Sequence, residues 1–155
     1  MTRDLRSEIR QRRPFQSREQ EAHLNIVRTA AVLSDDFEQV LKPSGITLTQ
    51  YNVLRILRGA EPQGLCRNEV RDRLLTRMPD VTRLLDRMES AGLVVRARDT
   101  EDRRLVTTRI TDEGRRLLDD LEPLVAEEHS RRFSQLDETQ LATLIDLLGL
   151  VRESS

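Results

Sequence analysis

Aromatic residues are scarce in this chain, with no tryptophan, one tyrosine and three phenylalanines among 155 residues. That scarcity removes a stacking platform for single-stranded nucleic acid, which needs several exposed rings in succession. Cys66 is the only cysteine, which excludes an internal disulfide framework and fits a reducing compartment. Histidine is nearly absent, and His23 and His129 are too isolated to suggest a metal site. With no glycine-rich phosphate loop and no catalytic signature, an enzyme has little to be built from, and no cofactor or metal is expected. There is no apolar run of roughly 18 residues and no N-terminal signal-type segment, so membrane spanning and secretion are unsupported and a cytoplasmic location is expected. Lysine is almost missing too, since Lys42 is the one lysine among 26 basic residues. The arginine excess suits forked bonding to phosphate and guanine, although genome composition can produce the same bias.

What is present is one domain's worth of chain, long enough for a core without disulfides or metals. The net charge of −1 argues at first against nucleic acid. Its distribution argues otherwise, because residues 67–109 hold 11 arginines against 8 acidic residues while the remainder is net acidic. The basic part of the chain is therefore confined to one stretch.

That stretch is organised around residues 76–111, TRMPDVTRLLDRMESAGLVVRARDTEDRRLVTTRIT. Val81, Leu84, Leu85 and Met88 recur at helical spacing, and Asp80, Arg83 and Arg87 share another face. Pro79 suits the first turn of such a helix and Gly92 the left-handed position after its last, which predicts a helix of about three turns over 79–91. Immediately afterwards Val94, Arg96 and Arg98 alternate with Val95 and Ala97, and Val106, Thr108 and Ile110 share a side. The connection DTEDR is strongly polar and ends in Arg103 and Arg104, so the hairpin is expected to carry cations at or near its tip. A cationic helix fits the DNA major groove, where arginine bonds two acceptors of guanine at once, and an arginine-tipped ribbon suits the neighbouring minor groove. The helix alone does not separate DNA contact from ordinary solvated charge pairs. Helix and ribbon together favour DNA.

The segments VTRLLDRMESAGLV, then Asp102, Arg103 and Arg104, then ITDEG resemble the core of the MarR family of winged-helix transcriptional regulators, and the flanking helices follow that family's order along nearly the whole chain. The resemblance implies an obligate homodimer on pseudo-palindromic double-stranded DNA, with release by a small molecule or by thiol oxidation. It also implies that Asp102 braces the wing, that Arg104 enters the minor groove, and that Arg96 matches an arginine often paired with that aspartate. The expected DNA-binding residues are thus Asp80, Thr82, Arg83, Arg87, Arg103 and Arg104, with Arg96 and Asp102 as wing support.

The flanks read as follows. Residues 1–16 are a highly charged, flexible or partly ordered arm. Ser17 and Gln20 have capping-box spacing and open a long helix that stops at Pro43, Ser44 and Gly45. It is apolar on two sides, one from Leu24, Val27 and Ala31 and another from Ile26, Ala30, Leu33, Phe37 and Val40, as expected when one side packs in the chain and the other against a partner subunit. Thr47 and Gln50 open a second helix ending near Gly59, and a third runs from about Arg67 to Leu75, forming a helix-turn-helix with the central helix. Cys66 is at its expected N-cap, where a redox-sensitive thiol is one reading and a small half-buried side chain the blander one. Thr111 caps a fifth helix that Pro123 should kink or divide. Asp137, Gln140, Leu136 and Leu141 mark the start of a last, unusually apolar helix. The fold expected is mainly α with a small β-hairpin wing: an N-terminal dimerisation helix at 17–45, a winged helix-turn-helix DNA-binding core at 46–111, and C-terminal dimerisation helices at 112–155. His23, Tyr51 and Arg55 are candidates for holding a small aromatic or carboxylate-bearing ligand, a suggestion that rests more on the resemblance than on the residues. The competing function is a winged-helix module that dimerises and binds protein instead of DNA.

Overall fold

A computed structural model describes residues 4–98, 102 and 105–153. The arm carries one helical turn, α1 (Leu5–Glu8), capped by Asp4 and anchored by the buried Leu5. Arg28 of the next helix holds it through Glu8 at 2.7 Å. That helix, α2 (Arg18–Leu41), starts where Ser17 Oγ accepts the Gln20 N–H at 3.2 Å. The expected reciprocal bond is displaced by one residue: Gln20 Oε1 accepts the N–H of Gln16, not of Ser17. A 3-10 turn over Lys42–Ser44 and the left-handed Gly45 end the helix, as the Pro-Ser-Gly sequence requires.

In α3 (Leu48–Arg58) both bonds of the capping box form, Gln50 N–H to Thr47 Oγ1 at 3.2 Å and Thr47 N–H to Gln50 Oε1 at 2.9 Å. Its apolar stripe buries Tyr51, Val53, Leu54 and Leu57 at the centre of the core. The helix-turn-helix follows as α4 (Arg67–Arg73) and α5 (Val81–Ser90), contributing Val70, Val81, Leu84, Leu85 and Met88 to the same core. The third helix stops two residues short of expectation, leaving Leu75 exposed in the turn.

The hairpin of β2 (Val94–Arg98) and β3 (Val106–Ile110) is antiparallel, with Val94 opposite Ile110 and Arg96 opposite Thr108. A third strand missed by pattern, β1 (Leu65–Cys66), pairs with the other edge of β3 and makes the order β1-β3-β2. Two residues are too few to display an alternation, which is why periodicity gave no sign of it.

Thr111 caps α6 (Asp112–Phe133), which buries Leu118, Leu121 and Val125 against the core. Pro123 lies inside this helix and does not divide it, contrary to one of the two outcomes expected. The last helix, α7 (Glu138–Glu153), begins at the predicted box: Gln140 N–H donates to Asp137 Oδ1 at 2.8 Å and Asp137 N–H to Gln140 Oε1 at 3.0 Å. No residue of α7 is buried, and Ile145, Leu147, Leu150 and Val151 are exposed. Val27 on α2 and Leu124 on α6 are exposed as well. Among the described residues no helix is long and apolar enough to cross a membrane.

Candidate nucleic-acid interface

The exposed face of α5 is set by where its apolar face must go. With Val81, Leu84, Leu85 and Met88 buried, helical spacing forces Thr82, Arg83, Asp86 and Arg87 outward. Asp80 is the N-cap: its Oδ1 accepts the Arg83 N–H at 2.9 Å, and its Oδ2 lies 3.6 Å from Arg83 Nε. Pro79 therefore stands just outside the helix instead of within its first turn, because Asp80 supplies the better cap. At the other end Gly92 adopts φ 74°, so the Gly92 N–H reaches the Glu89 carbonyl and the Leu93 N–H the Met88 carbonyl. This paired closure ends the helix and redirects the chain straight into β2.

One contact ties α5 to α4, and another holds the turn before it. Arg67 Nη1 of α4 donates to Thr82 Oγ1 at 3.3 Å, and Asn52 Oδ1 of α3 accepts the Leu75 N–H at 3.1 Å, pinning the turn between α4 and α5. Neither Arg67 nor Asn52 was expected from sequence, since polar contacts between elements leave no periodic trace. At the start of α4 Glu69 Oε2 accepts the Cys66 N–H at 2.8 Å, and that backbone bond chiefly holds the Glu69 carboxyl below its ordinary pKa. Cys66 is half-buried at that N-cap. It lines a cavity of about 360 Å³ between α4, α5 and the wing, together with Arg67, Thr82, Leu85, Arg96 and Val106.

The wing is rooted in the core at both strands. Thr111 Oγ1 donates to the Gly92 carbonyl at 2.7 Å and accepts the Gly114 N–H at 3.1 Å, so one hydroxyl joins the end of α5 to the start of α6. Gly114 is required there by space: a Cβ would lie 2.5 Å from the Leu93 carbonyl oxygen and 2.8 Å from Ile110 Cγ1. On β2, Arg96 is bonded to Glu89 and Asp86 of α5. The Arg96 guanidinium, by hydrogen bonding, is the main cause holding the Glu89 carboxyl below its ordinary pKa.

Of the predicted DNA-binding residues, Thr82, Arg83 and Arg87 stand together on the exposed face of α5, with Asp80 at its N-terminal edge. Arg87 has no ion-pair partner among the described residues, whereas Thr82 and Asp80 already carry internal bonds. Arg103 and Arg104 lie outside the described residues. Asp102 is exposed, and its carbonyl accepts the Leu105 N–H at 2.9 Å.

The ligand candidates are more dispersed. Tyr51 is buried, its ring 6.3 Å from that of Phe37. Arg55 is exposed one turn later on α3, and His23 is exposed on α2, about 21 Å along the helix from Phe37 at ~1.5 Å per residue. Within one chain His23 therefore does not meet Tyr51. The histidine that approaches this region is His129, whose ring is 4.9 Å from Phe37. Leu33, Phe37, Glu128, His129, Arg132 and Phe133 enclose about 220 Å³ between α2 and α6. Glu128 is bonded there by Arg131 at 2.6 and 2.9 Å, and Arg132 pairs with Asp36.

A helix-turn-helix whose second helix runs into a core-anchored β-hairpin defines a winged helix-turn-helix protein. The model of the MarR family matches residues 44–105, from the 3-10 turn after α2 to the residue before β3. The chain is 33% identical to the uncharacterized HTH-type transcriptional regulator YkoM of Bacillus subtilis (strain 168), over 86% of this chain and 88% of that protein. Its structure is similar to that of a MarR transcription factor from Planctomyces limnophilus, at 39% identity and a TM-score of 0.67, covering 88% of this chain and 99% of that one. It is also similar to the transcriptional repressor CouR bound to a 23-mer DNA duplex, at 29% identity and a TM-score of 0.73, over 83% and 89% of the two chains. CouR from Rhodococcus jostii RHA1 is known bound to p-coumaroyl-CoA as well, with 27% identity, a TM-score of 0.72, and 91% and 98% covered. The chain belongs to the MarR family of transcriptional regulators.

Proposed function

We propose that this chain works in the cytoplasm as a homodimeric, sequence-specific binder of double-stranded DNA that represses its own or adjacent genes and is released by a small-molecule ligand. The observation that carries this is the outward face of α5, where Arg83 and Arg87 project from a helix rigidly joined to a wing. Arg83 reads a base and Arg87 contacts base or backbone, while Arg104 takes the minor groove, Arg103 a phosphate, and Asp102 braces the turn. The DNA-bound structure of the similar repressor CouR supports the regulator and gives no support to a winged-helix module that binds only protein. Residues 17–45 and 112–155 form the dimerisation elements, a role supported by the exposed apolar side chains of α2, α6 and α7.

For ligand release, the ligand must bind the DNA-incompetent state more tightly, and DNA must weaken the ligand by the same factor. The aromatic-lined space around Phe37 and His129, between α2 and α6, is the place to look, with Tyr51 of α3 next to Phe37 and Arg55 and His23 as outlying candidates. A gel shift on the DNA upstream of the protein's own gene tests the reading. Retarded complexes that weaken steeply with salt and resist non-specific competitor are expected. Equal affinity for any duplex would refute sequence-specific reading, and no retarded complex at all would leave the protein-binding module.

A further inference from the structure

We propose that Glu89 is a positioning residue for DNA reading: through Arg96 it fixes the angle of the wing to α5, and so the register between major-groove and minor-groove contacts. The inference rests on the DNA-binding function proposed above and adds to it a residue that never touches DNA. Arg96 donates its backbone N–H to Glu89 Oε1 at 3.0 Å, and its Nε and Nη2 to Glu89 Oε2 at 3.0 and 2.6 Å. The same Nη2 lies 2.6 Å from Asp86 Oδ1, one turn earlier on α5. The carboxylate of Glu89 thus fastens both backbone and side chain of a wing strand to the helix that carries Arg83 and Arg87.

The position of this fastening matters. Arg96 stands opposite Thr108, which is the outermost side chain of the ribbon to be buried; beyond that rung Ala97, Arg98 and Val106 are exposed and Thr107 is half-buried, paired with Cys66 of β1. Full burial of side chains therefore ends at the level of Arg96, where the clamp ties the β2 side of the ribbon to α5, while pairing with β1 holds the other edge as far as Thr107. Three N–H groups of Arg96 converge on one carboxylate, and the Arg96 side chain is only 24% exposed, which separates the contact from the weak ion pairs usual on surfaces.

Charge supplies a second argument. Asp86 and Glu89 are acidic residues on the helix that would face phosphates, where simple electrostatics disfavours them. Removing either should tighten binding if charge were their only effect. A positioning role predicts the opposite sign for specific binding, because a wing free to swing loses its oriented contacts.

The test uses the full chain and a duplex that the wild-type protein selects from a randomised pool, with fluorescence anisotropy as the readout. Glu89→Gln keeps the size of the side chain and one acceptor, and Glu89→Ala removes both acceptors. The alanine variant should bind the selected duplex ~10-fold more weakly, the lower range of losing one oriented base contact, with the glutamine variant between it and wild type. Both should bind a scrambled duplex as well as wild type or better. In reselection the bases under α5 should be retained while preference in the flanks flattens, a pattern that a uniform loss of folded protein cannot give. If either variant binds the selected duplex as tightly as wild type or more tightly, or loses all positions equally, the positioning role is overturned. A wild-type chain that selects no duplex overturns the function itself, and with it this role.

Discussion

Replacing Asp80 separates two roles that its position leaves open, cap of α5 and contact to DNA. Its Oδ1 accepts the Arg83 N–H at 2.9 Å, satisfying one of the amides that a helix N-terminus leaves without a partner. Loss of such a cap to alanine costs about 1 kcal/mol, while asparagine caps nearly as well and forfeits only the charge at the positive end of the helix. For a chain of 155 residues that cost corresponds to a fall in Tm of ~2–4 °C. Asp80→Ala should therefore melt ~2–4 °C below wild type, and Asp80→Asn within ~2 °C, in melts at one protein concentration. Because the carboxylate is committed to the helix, Asp80→Asn should bind the selected duplex as tightly as wild type or more tightly, one negative charge having been removed from the DNA-facing end. An unchanged Tm for Asp80→Ala refutes the capping argument. A stable Asp80→Asn that loses discrimination at one base pair, by ~1–3 kcal/mol, shows instead that the carboxylate reads a base.

Three further outcomes are expected. Arg83→Ala should weaken operator binding by ~1–3 kcal/mol and relax preference at one position of each half-site, whereas Arg104→Ala should reduce the dependence on A·T-rich flanks; affinity series on duplexes varied at those positions distinguish the two. Gly114→Ala should destabilise the chain by ~1–3 kcal/mol in denaturant unfolding although alanine favours helix, because the new Cβ would press to 2.5 Å from the Leu93 carbonyl oxygen. Glu69, Glu89 and Glu122 have their carboxyl pKa values lowered in the fold, by a backbone bond to Cys66, by Arg96 and by Arg58 respectively. A lowered folded pKa gives stability that is full above the unfolded value and is lost as pH falls through the folded one. Thermal melts should thus decline below about pH 4, with a shallower acid limb in Glu122→Gln.

Much of the framework was legible because it is written in local chemistry. The pairs Thr47 with Gln50 and Asp137 with Gln140 announce helix starts by a three-residue spacing, and both boxes form with the expected bonds. Gly92 announced the end of α5, and the alternation of Val94, Arg96, Thr108 and Ile110 announced the two strands of the wing, though not the register in which they pair. Contacts between elements were not legible. Nothing in the spacing of Glu89 and Arg96 says that a helix end and a strand will bring them within 2.6 Å, and Arg67 meets Thr82 only because α4 and α5 cross. The same limit explains His23, which shares a helix with Phe37 but sits too far along it to meet Tyr51, while His129 arrives from α6. Of the two outcomes that Pro123 allows, a kink or a division, division does not occur, since α6 continues through it.

The most direct test of the account is a hydroxyl-radical footprint of the full chain on the duplex it selects, with the stoichiometry measured in parallel. Two chains per duplex should protect two symmetry-related half-sites whose centres lie about one helical turn, ~10 bp, apart, with weaker protection in the flanking minor grooves where the wings reach. A single protected tract with one chain bound, or uniform protection without half-sites, would contradict a dimer that reads DNA through paired α5 helices.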